Sequence, residues 1–294
     1  MALFFFFWKK MGPLLLFPFM VLLSAFGQCP EPSFELPLRR RSDEEVLGRY
    51  NPAETFSEKL LRLAKVGKAL EVGGPTAFMK GLYELPWISY DVANLETATQ
   101  TDQFASLRAP NGAPIRNGAK FYVDSVEKGQ LFAVEDGSQL PLEDDAVDVL
   151  LAFHTLEHFR NPIKALTEWK RVLRKKGSLA IIVPYAPNTY DHNVPPSTIY
   201  DLILDANDND LNNLEVRSRS YAALVNKSRG YPCDEDTRMD TSFAAAALDA
   251  PCHHWHVYNF ALLEDAMACL GLTISHLAIL DNWHQFLIAD NNNQ

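Results

Sequence analysis

Residues 68–76 read Lys68-Ala69-Leu70-Glu71-Val72-Gly73-Gly74-Pro75-Thr76. A short apolar run, Lys68–Val72, ends next to an acid and turns on a glycine pair. Without a Cβ, glycine lets the backbone turn tightly and come close to a ligand. If Lys68–Val72 is the first strand of an open α/β sheet, the turn after it lies where such sheets bind ligands. The same letters also describe a plain turn. The fold must therefore be read from what surrounds them.

Working outward, apolar runs recur at Trp87–Val92, Gln130–Val134, Val147–Phe153 and Ser178–Val183. Helical patterns separate several of them, which is the signature of parallel strands joined by crossover helices. Val147–Phe153 is apolar except for Asp148, as a strand covered on both faces should be. One helix has clear punctuation. Asn161 suits its cap and Pro162 its first position, and Ile163, Leu166, Trp169 and Leu173 share a stripe. Lys175 and Lys176 suit its C-terminal dipole, and Gly177 its end. A second helix runs from Asn259 through Phe260, Leu263, Met267 and Leu270 to Gly271, followed by strand-like Leu272–Leu280 and Gln285–Ala289. Glu54–Lys65 also carries helical spacing. The expected fold is α/β: a seven-stranded, mostly parallel sheet flanked by helices. Thr97–Lys128 and Pro187–Pro251 are expected as polar insertions.

The chain of 294 residues has a net charge of −10 and 47% hydrophobic residues. That balance is ordinary for a globular domain and lacks the basic footprint of phosphate-backbone binding, so nucleic acid is not an expected partner. Residues 1–27 differ from the rest: Lys9 and Lys10 precede the apolar run Met11–Gly27, with small residues at Ala25 and Gly27. This order fits a signal peptide or signal anchor and a secretory address, with membrane contact through this segment alone. Residues 28–53 are expected as a linker and 54–294 as the main domain. Cys29, Cys233, Cys252 and Cys269 form no C-x-x-C pair. Cys233 and Cys252 are placed to bridge in an oxidising lumen; four thiols is the equally open alternative. Asn226-Lys227-Ser228 is a glycosylation sequon.

Three further segments carry chemistry. Asp91 ends a strand-like run eighteen residues after Gly73, where a carboxylate can accept ribose hydroxyls. Asp136-Gly137-Ser138 precedes the central strand. His154-Thr155-Leu156-Glu157-His158 follows it. The last matches the inverted zinc-peptidase pattern, which wants both histidines on one helix. Here a new helix begins at Asn161-Pro162, so that reading is disfavoured.

Together these segments resemble the type 11 class I methyltransferases. The chain is most similar to a subgroup whose first motif reads Leu-Glu-(Ile/Val)-Gly-Gly-Pro. The matching residues are Leu70–Thr76, Leu156–His158, Asn161–Leu166, Glu168-Trp169, Arg171–Leu173, Ile182–Pro184, Thr189–His192 and Cys252–Tyr258. The resemblance implies a Rossmann-like methyltransferase fold with S-adenosylmethionine as cofactor. By family position Glu71, Gly73 and Gly74 line its methionine and ribose side, Asp91 holds the ribose, Asp136 and Gly137 meet the adenine, and His154 borders the methyl group. Leu211–Leu224 matches the subgroup poorly, which leaves the acceptor unread.

Methyl transfer requires alignment of nucleophile and methyl carbon, and for a hydroxyl acceptor a base. Asp191, His192, His254 and His256 are the expected catalytic residues, with His253 a further candidate. Adjacent His253 and His254 cannot both face one ion from a regular strand, so no metal ligand set is assigned. The expected partner is a small-molecule or glycan methyl acceptor. The alternatives are a methyltransferase-like binding protein without turnover and a nicotinamide-dependent enzyme; the latter lacks G-x-G-x-x-G.

Overall fold

The computed structural model describes residues 41–50, 58–59, 67–73, 87–91, 119–123, 126–133, 137–159, 161–189, 191–207 and 254–292. Among the described residues eight strands form one sheet: β1 (Ala69–Val72), β2 (Trp87–Asp91), β3 (Ala119–Val123), β4 (Val126–Ala133), β5 (Val147–Phe153), β6 (Leu173–Pro184), β7 (Thr273–Leu280) and β8 (His284–Asp290). Their order is β3-β4-β2-β1-β5-β6-β8-β7. β4, β2, β1, β5 and β6 run parallel, while β8 is antiparallel to β6 and β7 to β8. Adding β3 raises the expected seven strands to eight. It lies inside the stretch read as a polar insertion, and it forms an antiparallel hairpin with β4. Its five letters, Ala119-Lys120-Phe121-Tyr122-Val123, are a short run within a polar stretch.

β1 pairs with β2 on one side and β5 on the other, Ala69 facing Trp87 and Val149. The chain thus moves away from β1 in both directions, and a crevice opens between β1 and β5 at their carboxyl ends. Every β1 residue is buried, as is all of β5 except half-buried Asp148. With this order and these directions, the architecture is the Rossmann-like methyltransferase fold.

Helix α2 (Pro162–Val172) begins as its sequence predicts, with the Asn161 side chain accepting from the Lys164 N–H at 2.9 Å. Ile163, Leu166 and Trp169 are buried, each contributing about 2–3 kcal/mol. The helix ends a turn earlier than expected. Leu173 is extended and pairs with Val147, so Lys175 and Lys176 belong to the exposed start of β6. Gly177 is no helix cap: a Cβ there would stand 2.8 Å from the Asp148 carbonyl oxygen, and Lys176 takes the left-handed conformation instead. Helix α4 (Phe260–Cys269) matches its expected caps, Asn259 accepting from the Leu262 N–H and Gly271 having φ +65°. Helix α3 (Ile199–Asn207) lies within the second insertion.

Residues 41–50, in the stretch expected as a linker, dock on α4. Helix α1 (Asp43–Leu47) carries a capping box, Asp43 accepts from the Phe260 N–H at 3.1 Å, and Arg41, Arg49 and Tyr50 all bond Glu264. Cys269 is disulfide-bonded, which removes the reading of four thiols; its partner lies outside the described residues. Also outside them are residues 1–40, the sequon and most of Glu54–Lys65, of which Glu58 and Lys59 are helical. Among the described residues no helix is long and apolar enough to cross a membrane.

Candidate active site

At the carboxyl ends of β1 and β5, Gly73 packs against Thr155. Gly73 has φ +81°, and a Cβ there would fall 2.2 Å from Thr155 Oγ1. That hydroxyl bonds the carbonyls of Val72 (3.2 Å) and Phe153 (3.0 Å). Glycine is therefore required at 73 on both conformational and steric grounds. The turn after β1 and the end of β5 are thereby locked together at the switch point, where open α/β sheets bind their ligands.

A cavity of about 410 Å³ opens at the carboxyl edge after β5 and β6. One wall is His154, Glu157 and His158 after β5; the opposite wall is Pro184, Thr189 and His254; Trp283 and His284 complete it from the β7–β8 turn. β8 runs antiparallel to β6, so its first residue, His284, arrives at the carboxyl edge beside Pro184. Two bonds tie this turn to the segment after β6: Tyr185 N–H to the Trp283 carbonyl at 2.8 Å, and the Asn188 amide to the Asn282 carbonyl at 2.6 Å.

The polar groups form two chains. His154 Nδ1 lies 3.2 Å from Glu157 Oε1, and His154 Nε2 lies 3.0 Å from His284 Nδ1. Donation from His154 to the carboxylate leaves Nε2 as acceptor for His284 Nδ1–H, so the lone pair of His284 falls on its own Nε2. Burial holds the His284 pKa below its usual value, assisted by His154 and opposed by Asp281 and Glu157. His154 itself has φ +50°, a strained conformation for a non-glycine residue. Burial raises the Glu157 carboxyl, but the His154 bond and the charges of His158, His254 and His154 outweigh it, and its pKa is lowered. In the second chain His254 Nδ1 donates to Asp191 Oδ2 at 2.8 Å, with both side chains buried.

A family model described as a methyltransferase domain matches residues 76–181. The cofactor that this likeness implies is S-adenosylmethionine. No curated protein matches the chain. Among solved structures, the domain is similar to a candidate methyltransferase from Bacillus halodurans C-125 (13% identity, 80% of this chain and 98% of that one, TM-score 0.42). It is also similar to a SAM-dependent methyltransferase from Aquifex aeolicus (14% identity, 85% and 99%, TM-score 0.42).

The residues present suit the cofactor at the observed turn. Gly73 supplies a left-handed turn at the switch point, and buried Glu71 stands two residues before it. Asp91 ends β2, in register with Ala133 of β4. The Gly137 carbonyl is fixed by Trp169 Nε1 at 2.9 Å, so α2 sets the level of the segment after β4. Gly74, Asp136 and His253 lie outside the described residues.

Of the residues expected in catalysis, the fold brings His254 to the cavity with Asp191 behind it. His192 is exposed, its Nδ1 2.9 Å from the Thr189 carbonyl. His256 is buried elsewhere, 3.3 Å from Asp205 of α3. The sequence did not single out His284. The signal available was topological: a strand antiparallel to β6 must begin at the carboxyl edge.

Proposed function

We propose that this domain transfers the methyl group of S-adenosylmethionine to an oxygen or nitrogen nucleophile of a small acceptor held in the histidine-lined cavity. The observation that carries this reading is the His284–His154–Glu157 chain, which lines the cavity after β5 and β6. The cofactor supplies an electrophilic methyl on a sulfonium. Bound to the domain, it would yield that methyl to the acceptor and leave as the neutral thioether, the sulfur keeping the electron pair. The chain's residues orient the acceptor and receive its proton: His284 takes it on Nε2, and the imidazolium is stabilised through His154 by the Glu157 carboxylate. Trp283, 55% exposed at the rim, offers a flat apolar face for the acceptor to enter against.

We further propose a secretory address and, within it, a sugar hydroxyl as acceptor. The N-terminal hydrophobic segment and the disulfide at Cys269 support an oxidising compartment. Thermal unfolding with S-adenosylhomocysteine and with NAD tests the cofactor. A rise with the first alone is expected, since a ligand of the folded state stabilises it. Methyl incorporation into a panel of sugars and small phenols then tests turnover. A rise with NAD alone would exclude the reading; binding without incorporation would favour a binding protein.

A further inference from the structure

We propose that Glu157, His158 and His254 form a divalent transition-metal site facing the cavity. One donor atom from each lies within 4.8 Å of the other two. Donors on a tetrahedral ion at about 2.0–2.2 Å stand about 3.3–3.6 Å apart, so side-chain shifts of about an ångström close the set.

Four observations converge on it. Glu157 is 1% exposed, its Oε1 faces His154, and its Oε2 has no hydrogen-bond partner among the described residues. A buried carboxylate oxygen without a donor is costly, and an ion at that position removes the cost. Second, Asp191 accepts from Nδ1 of His254, which puts the His254 lone pair on Nε2. A carboxylate behind a histidine is the arrangement that orients imidazole ligands of metals. Third, the His158 and His254 rings meet edge-on with centroids 5.0 Å apart. Fourth, the Trp255 N–H donates to the Glu157 carbonyl at 2.8 Å, so the backbone itself holds position 254 against position 157. Two imidazoles and one carboxylate suit Zn²⁺ or a neighbouring first-row ion rather than Mg²⁺ or Ca²⁺, which prefer all-oxygen shells. The cavity supplies an open fourth position. An acceptor hydroxyl bound there would lose its proton more readily.

This site does not depend on the methyl-transfer reading, because it needs only these three side chains and Asp191. The full chain is stripped with chelator, dialysed, and titrated with Zn²⁺ by calorimetry and with Co²⁺ by visible absorption. One saturable ion per chain is expected, with a tetrahedral Co²⁺ spectrum. Glu157→Gln is expected to abolish the site, and Asp191→Asn to weaken it about 10–100-fold. S-adenosylhomocysteine binding by each variant reports folding separately, and its absence in the parent chain would count against the cofactor reading alone. If Glu157→Gln does not fold, His158→Gln at the half-buried ligand replaces it. No saturable ion in the parent chain, or undiminished binding in the folded ligand variant, overturns the proposal.

Discussion

His254 and Asp191 meet across 2.8 Å in a buried pair, although 63 positions separate them. Asp191 sits in the turn that follows β6 and the 3-10 segment Ala186–Asn188, and His254 in the approach to α4. The pair fixes the tautomer of an imidazole on the cavity wall. Asp191→Ala should therefore leave that imidazole buried without its acceptor. A loss of about 1–3 kcal/mol in urea unfolding is expected, with Asp191→Asn costing less.

Gly73→Ala introduces both a strained φ and a clash with Thr155. Weakened S-adenosylhomocysteine binding and a stability loss of about 1–3 kcal/mol are expected. Thr155→Ala removes Oγ1 and Cγ2, the two atoms nearest the new Cβ at 2.2 and 2.6 Å. The double variant should then be less destabilised than the sum of the singles, a coupling that a double-mutant cycle measures. Strict additivity would mean that the two segments do not touch.

His284→Gln keeps the size and polarity of the residue but cannot take up a proton. Turnover should fall about 10²–10⁴-fold while S-adenosylhomocysteine binding is retained. A variant of parental kcat would remove His284 from the proton transfer.

Asp43 offers a pH signature away from the cavity. Burial raises its pKa above 3.8, with the bond from the Phe260 N–H opposing. Between 3.8 and the raised value the folded chain holds the proton more tightly than the unfolded one. This contribution is therefore favourable at low pH and is lost as pH rises through that window. Asp43→Asn, which keeps an acceptor for Phe260, should flatten this part of the stability–pH curve. An unchanged curve by urea unfolding across pH 3–7 would show that the shift is absent.

The five parallel strands, the closing pair and both capped helices were legible because each is written in neighbouring residues. Apolar runs, an asparagine cap before Pro162, and Asn259 and Gly271 around α4 are local signals, and local sterics and hydrogen bonding determine them. Gly73 and His154 were legible for the same reason, standing at strand ends. The edge strand β3 was not, since its partner rather than its composition makes it a strand.

The chemistry of the cavity was decided by the tertiary structure. His284 reaches His154 across 130 positions only because β8 is antiparallel to β6. Glu157, His158 and His254 converge because a backbone bond joins two distant segments at the same edge. His256, two residues from His254, is instead buried against Asp205. Sequence determines which strands and turns form, because those choices are settled within a few residues. Strand order and direction determine which side chains meet, and no local pattern carries that information.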